Sequence, residues 1–150
     1  MNNLNYNQGM EHIDKIKNFI SKQKYIQLSY LFGSSATGKT GPLSDIDIAL
    51  YLNPNLSRKQ FFMKELLLRS ELGKILKTNK LIDVVIMNET PVSLNFEIIK
   101  HGKIIFERNR DLRINIETEI MSRYLDRRYY DKRHLKNFLG KIRTRGLIKK

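Results

Sequence analysis

Apolar residues along this chain change period in a regular order, and those changes mark its elements. Met10, Ile13, Ile16 and Ile20 recur at helical steps with Phe19 beside them, which predicts a helix over 9–22. A dense apolar run over 25–32 reads as a strand. Ile46, Ile48 and Leu50 then alternate with Asp47, Ala49 and Tyr51, a period of two that predicts a second strand over 46–52. Asn53-Pro54-Asn55 is a turn, and Ser57 can cap a long helix running through Leu76, with Phe61, Phe62, Leu66 and Leu67 read as core positions. The β-branched run at 81–87 is a third strand. Thr90-Pro91 supplies a cap and a first-turn proline for a helix ending at Gly102. A short strand, Lys103 to Glu107, follows, and the last 40 residues carry helical spacing through Ile116, Ile120 and Tyr124 and again through Leu135, Phe138 and Leu139. The pattern gives strands interleaved with helices and a helical C-terminal segment.

Candidate chemistry concentrates in YLFGSSATGKTGPLSDIDIAL, residues 30–50, where two phosphate-binding patterns share one glycine. Gly33 through Thr40 spells a complete P-loop string, G-x-x-x-x-G-K-T. Gly33-Ser34, ten residues, then Asp45-Ile46-Asp47 spells the signature of DNA polymerase β-like nucleotidyltransferases. A P-loop must open directly into a helix whose amides hold phosphate, whereas Lys39-Thr40 runs into Gly41-Pro42 and then into a strand. A P-loop also wants a later strand ending in an Asp, and in LIDVVIM the acid, Asp83, stands near the start. The transferase reading therefore leads, and a P-loop NTPase is the remote alternative.

The aspartate pair has a physical logic. Residues two apart on a strand point to the same side, about 6.5–7 Å apart along the chain. Carboxylates so placed can hold one or two Mg²⁺ ions, which favour carboxylate and substrate phosphate oxygens. Two such ions can clamp the attacking and leaving oxygens of an in-line displacement. Asp83 is the natural third carboxylate, since a charge inside an apolar strand is costly without a metal or partner; an edge-strand or ion-paired acid is the other reading. Gly33 lets backbone approach a phosphate, Ser34 can donate to it, and residues 35–37 would start a short helix facing the triphosphate. Ser35 and Lys39 join Gly33 and Ser34 as candidate nucleotide-binding residues, Lys39 being equally readable as a solvated loop lysine.

The stretch from about residue 10 to 108 resembles the minimal nucleotidyltransferases, specifically the MntA-type antitoxins of bacterial and archaeal MntA–HepT modules. The resemblance rests on YIQLSYLF, Gly33-Ser34 with Asp45-x-Asp47, LIDVVIMNE and HGKIIFERNRDLR, and continues into IETEIMSRYLDRRYYDK. It implies an α+β fold, a small mixed β-sheet flanked by helices. It also implies transfer of AMP from ATP, with Mg²⁺, to a tyrosine of a partner HEPN-type, HepT-like ribonuclease toxin, which is thereby inactivated. It further implies that Gly33 and Ser34 bind the triphosphate, that Asp45 and Asp47 bind metal, and that Asp83 completes the metal site or takes the hydroxyl proton. Two features depart from the pattern. The loop SSATGKTGPLS lacks the arginines frequent there in relatives, and the run from Lys132 onward is longer and more basic.

Bulk properties narrow the rest. A chain of 150 residues predicts one nucleotidyltransferase domain over 1–150, with 108–150 a basic helical extension. It has no cysteine, no long apolar run and no apolar segment in MNNLNYNQGMEHIDK, so no membrane association and a cytoplasmic location are expected. The net charge of +13 is uneven: residues 1–106 hold 14 Lys+Arg against 9 Asp+Glu, and residues 107–150 hold 14 against 6. That basic half, interleaved with Tyr124, Tyr129 and Tyr130, suits an acidic partner protein, with RNA the less favoured ligand and a solvated helix face the bland reading. The alternatives to the antitoxin are a nucleotidyltransferase acting on RNA or a small molecule, and a non-catalytic protein that neutralises its partner by contact.

Overall fold

The computed structural model describes residues 2–37, 45–77 and 81–144. Its elements are α1 (Asn2–Lys22), β1 (Ile26–Phe32), α2 (Ser34–Thr37), β2 (Ile46–Leu52), α3 (Arg58–Leu76), β3 (Ile82–Ile86), α4 (Val92–His101), β4 (Lys103–Glu107) and α5 (Arg110–Thr144). The strands form one mixed sheet in the order β3-β2-β1-β4. β1 is antiparallel to both β2 and β4, and β2 is parallel to β3. This is the expected α+β architecture, with α1 reaching further toward the N-terminus than the pattern over 9–22 predicted.

The alternation in β2 divides the core. Ile46, Ile48, Leu50 and Leu52 join Ile16 and Ile20 of α1 and Phe61, Leu68, Leu72 and Leu76 of α3 in one apolar layer. Ala49 and Tyr51, on the other face, pack with Tyr30, Met87, Ile98 of α4 and Ile116 and Ile120 of α5. The sheet is thus covered on both faces, and Asp47, which shares the parity of Ala49 and Tyr51, faces the α4–α5 side.

Local chemistry fixes the connections. Ser57 caps α3 by accepting from the Gln60 amide while the Gln60 side chain accepts from the Ser57 amide, a reciprocal capping box. Asn88 joins the ends of β2 and β3 by accepting from the Leu52 amide at 2.8 Å and donating to the Leu52 carbonyl at 3.0 Å. Asn109 opens α5 by accepting from the amides of Asp111 and Leu112. α5 is then tied to the sheet where Tyr30 donates its hydroxyl proton to Glu117, and Arg113 bridges Glu117 to Glu107 of β4.

The expected core of α3 needs a correction. Phe61 is buried, but Phe62, Leu66 and Leu67 are 48–59% exposed. The buried face follows Phe61, Leu68, Leu72 and Leu76, which places Phe62, Leu66 and Leu67 on other sides of the same helix. Among the described residues no helix is long and apolar enough to cross a membrane.

Candidate active site

The site forms where β1 ends and β2 begins. β1 finishes at Phe32, the Cα partner of Asp47 across the antiparallel pair. Gly33 then turns the chain with φ +66°, and the Ala36 amide closes the turn onto the Gly33 carbonyl. Only glycine adopts this left-handed conformation without strain. A second constraint acts there too: a Cβ on Gly33 would land on the Asp47 carboxylate. The glycine of the signature and its second aspartate, 14 positions apart in sequence, are in direct steric contact in the fold.

The parallel β2–β3 pair supplies the third acid. Asp47 and Asp83 are Cα partners, and paired residues on neighbouring strands project to the same face. Asp45 stands just before β2, two residues from Asp47, where the Ile46 amide donates to the Leu81 carbonyl at 2.9 Å. The register thus brings the three sequence-predicted acids to one corner of the sheet. Their mutual repulsion is felt at Asp47: partial burial first, then the charges of Asp83 and Asp45, hold its pKa above the ordinary carboxylate range.

Asp83 lies on the edge strand β3 and is ion-paired, as the other reading of this acid had it, but with a partner the sequence did not suggest. Arg69 of α3 donates from Nη2 to Asp83 Oδ1 at 2.7 Å, and the same nitrogen lies 3.3 Å from both Glu65 Oε1 and the Val84 carbonyl. In sequence Arg69 reads as the partner of Glu65 at i,i+4, and no spacing rule links α3 to the sheet's edge strand.

Oxygen-only carboxylate donors suit a hard cation such as Mg²⁺, and the repulsion at Asp47 is what a divalent ion would relieve. Asp45 and Asp47 fit that role. Asp83 offers one oxygen to Arg69, and among the described residues no three His, Cys, Asp or Glu side chains converge closely enough to form a ready-made metal cluster. Ser34 and Ser35 open α2 beside the Gly33 turn. Lys39 lies outside the described residues.

The C-terminal tyrosines differ in exposure, Tyr124 being half-buried. Tyr124 stacks on Phe96 of α4 with ring centroids 3.8 Å apart. Tyr129 and Tyr130 are exposed and meet edge to face at 5.8 Å.

Several solved structures share the fold. A crystal structure of a toxin–antitoxin with AMP-PNP is 22% identical with a TM-score of 0.68, covering 85% of this chain and 98% of that one. A structure of tri-AMPylated Shewanella oneidensis HEPN toxin in complex with MNT antitoxin is 20% identical with a TM-score of 0.65, covering 87% and 98%. A toxin–antitoxin MntA–HepT structure is also 20% identical, with a TM-score of 0.63 over 87% and 98% of the two chains. No curated protein matches the sequence. The family described as polymerase beta, nucleotidyltransferase matches residues 14–111, from α1 through the first residues of α5, and includes the whole candidate site. The chain belongs to the polymerase β nucleotidyltransferase family.

Proposed function

We propose that this chain is an adenylyltransferase antitoxin, moving AMP from ATP to a tyrosine of a HEPN-type ribonuclease toxin and so neutralising it. The observation that carries this reading is the pairing of Asp47 with Asp83 on adjacent parallel strands, with Asp45 two residues upstream and the Gly33 turn against Asp47. Partial burial, then the neighbouring charges of Asp83 and Asp45, raise the pKa of Asp47, a cost that a phosphoryl-transfer site recovers when it binds cations. The choice of acceptor draws support from likeness to MntA–HepT and AMPylated HEPN toxin structures, which extends over 98% of the matched chains.

In this reading Gly33 and Ser34 lie against the triphosphate, with Ser35 next in α2 and Lys39 auxiliary at most. Asp45 and Asp47 hold Mg²⁺, with Asp83 at the edge of the same site. Two Mg²⁺ ions, when bound, neutralise charge on the attacking and leaving oxygens. The tyrosine phenolic oxygen attacks the α-phosphorus of ATP, and an O–P bond forms as the bond to the α,β-bridging oxygen breaks. Pyrophosphate departs with that electron pair, and the phenolic proton passes to Asp83. Arg69, 2.7 Å from Asp83 Oδ1, holds that carboxylate in place until then.

The experiment is incubation with α-labelled ATP and Mg²⁺ together with a HEPN-type toxin protein, RNA and free nucleotides as parallel acceptors. Label on a tyrosine of the protein, lost in Asp45→Asn, supports the reading. Label on RNA alone replaces it with an RNA nucleotidyltransferase, and label on none of the acceptors contradicts it.

A further inference from the structure

α5 has two faces. Its first half packs by Leu112, Ile116, Ile120 and Tyr124 against the sheet and α4. From Met121 to Arg143, however, every described residue except Tyr124 and Ile142 is exposed. This projecting stretch is not uniformly polar. Ile114, Met121, Leu125, Leu135, Leu139 and Ile142 lie on a different side from the buried face. With Thr118, Arg128 and Lys132 between them, their spacing alternates four and three from 114 to 142. That is the repeat of a helix that pairs with another helix. Ile114, Met121, Leu125, Leu135 and Leu139 are 44–58% exposed, so no part of the described chain covers the seam. From Met121 to Ile142 it is about 32 Å long, at a rise of about 1.5 Å per residue.

We infer that this seam docks one α-helix of a partner protein, and that the partner presents acidic residues opposite Arg128 and Lys132. The charge pattern selects the occupant. Two copies of this chain paired antiparallel about the seam's middle would set Arg128 against Lys132 twice over. Paired parallel in register, each cation would meet itself. Arg133 and Lys136 add to the same field, Arg127 being paired with Asp131 at 3.8 Å, and after Asp131 the sequence holds no acid to offset it. Like charges facing at seam positions disfavour such a dimer, whereas carboxylates there supply both affinity and register. Nucleic acid would use the cations but not the leucines. The inference rests on the reading of this chain as acting on a partner protein, and it adds the element of that partner that is recognised.

The test uses the full chain and two synthetic amphipathic helical peptides with leucine at the seam positions. One carries glutamate and its twin lysine at the two central positions facing Arg128 and Lys132. Fluorescence anisotropy should show the glutamate peptide binding at least tenfold tighter than its twin. Leu125→Asp with Leu135→Asp should weaken it at least tenfold. Arg128→Glu with Lys132→Glu should invert the preference between peptides, a result that unfolding of α5 cannot mimic. Equal binding of both peptides, or no binding, overturns the inference. So does a wild-type dimer in sedimentation that Leu125→Asp dissolves, or binding confined to RNA or anionic phospholipid vesicles. AMP transfer is not read in this experiment, so failure of the seam leaves the transferase reading intact, and an inactive transferase leaves the seam intact.

Discussion

Replacing Gly33 by alanine tests the steric contact that couples the glycine turn to the aspartates. Two costs arise. At φ +66° an alanine pays about 1 kcal/mol for the left-handed conformation. Its Cβ also collides with the Asp47 carboxylate, and forcing a side chain out of a fitted position costs about 1–3 kcal/mol. The total is roughly 2–4 kcal/mol, and each kcal/mol lowers the melting temperature of a chain this size by about 2–4 °C. The two costs separate in a double-mutant cycle. In an Asp47→Ala background the collision disappears, so Gly33→Ala should cost only the conformational part, about 1 kcal/mol. Urea unfolding of the four proteins, followed by circular dichroism without divalent ions, measures the coupling. Displacing the Asp47 carboxylate should also cut AMP transfer about 100-fold, the usual penalty for misplacing a reacting or metal-holding group by about 1 Å. Additivity within about 0.5 kcal/mol would show that Gly33 and Asp47 do not touch, and the geometry proposed for the site would be wrong.

Other perturbations probe charge and packing. Because the fold raises the pKa of Asp47, the folded chain binds that proton more tightly than the unfolded chain. The ionised carboxylate therefore costs stability above its folded pKa, and the cost fades as pH falls toward the unfolded value of about 3.9. Asp47→Asn should accordingly melt higher than the wild type near neutral pH without divalent ions, with a gap that narrows toward about pH 4; a gap independent of pH would contradict the burial and charge repulsion that raise its pKa. Tyr30→Phe removes the hydroxyl that donates to Glu117 in the interior beneath α5 and should cost about 1–2 kcal/mol in urea unfolding, because Arg113 still satisfies Glu117. Lys39→Ala should keep a substantial part of any AMP transfer, and the wild type should release little ADP; rapid ADP release that vanishes in this variant would favour the P-loop reading of Gly33 to Thr40.

What the sequence revealed follows from how local each signal is. The alternation of Ile46, Ile48 and Leu50 located β2, and Ser57 with Gln60 marked the start of α3, because both patterns depend only on near neighbours. The Gly-Ser and Asp-x-Asp spacing identified the corner of the fold that matters, since a tight turn and two same-side carboxylates are local requirements. The exposure of Phe62, Leu66 and Leu67 was hidden because α3 carries apolar residues on several sides, and only docking on the sheet selects which side is buried. Arg69 was hidden for a different reason. Its pairing with Asp83 joins α3 to β3 across the sheet edge, a contact set by tertiary packing that no spacing rule encodes. The register that pairs Asp47 with Asp83 is equally non-local, depending on how the crossover through α3 returns the chain to the sheet.

We read the corner holding Asp45, Asp47 and Asp83 as the site that transfers AMP to a tyrosine of a HEPN-type toxin. The most direct test of that reading is the intact mass of that toxin after co-expression with this chain, with fragmentation to locate any added group. The toxin should be heavier by one or more AMP groups on tyrosine beside the wild-type chain, and unmodified beside Asp45→Asn with Asp47→Asn. An unmodified toxin beside a folded wild-type chain, or equal modification beside the double variant, would contradict it.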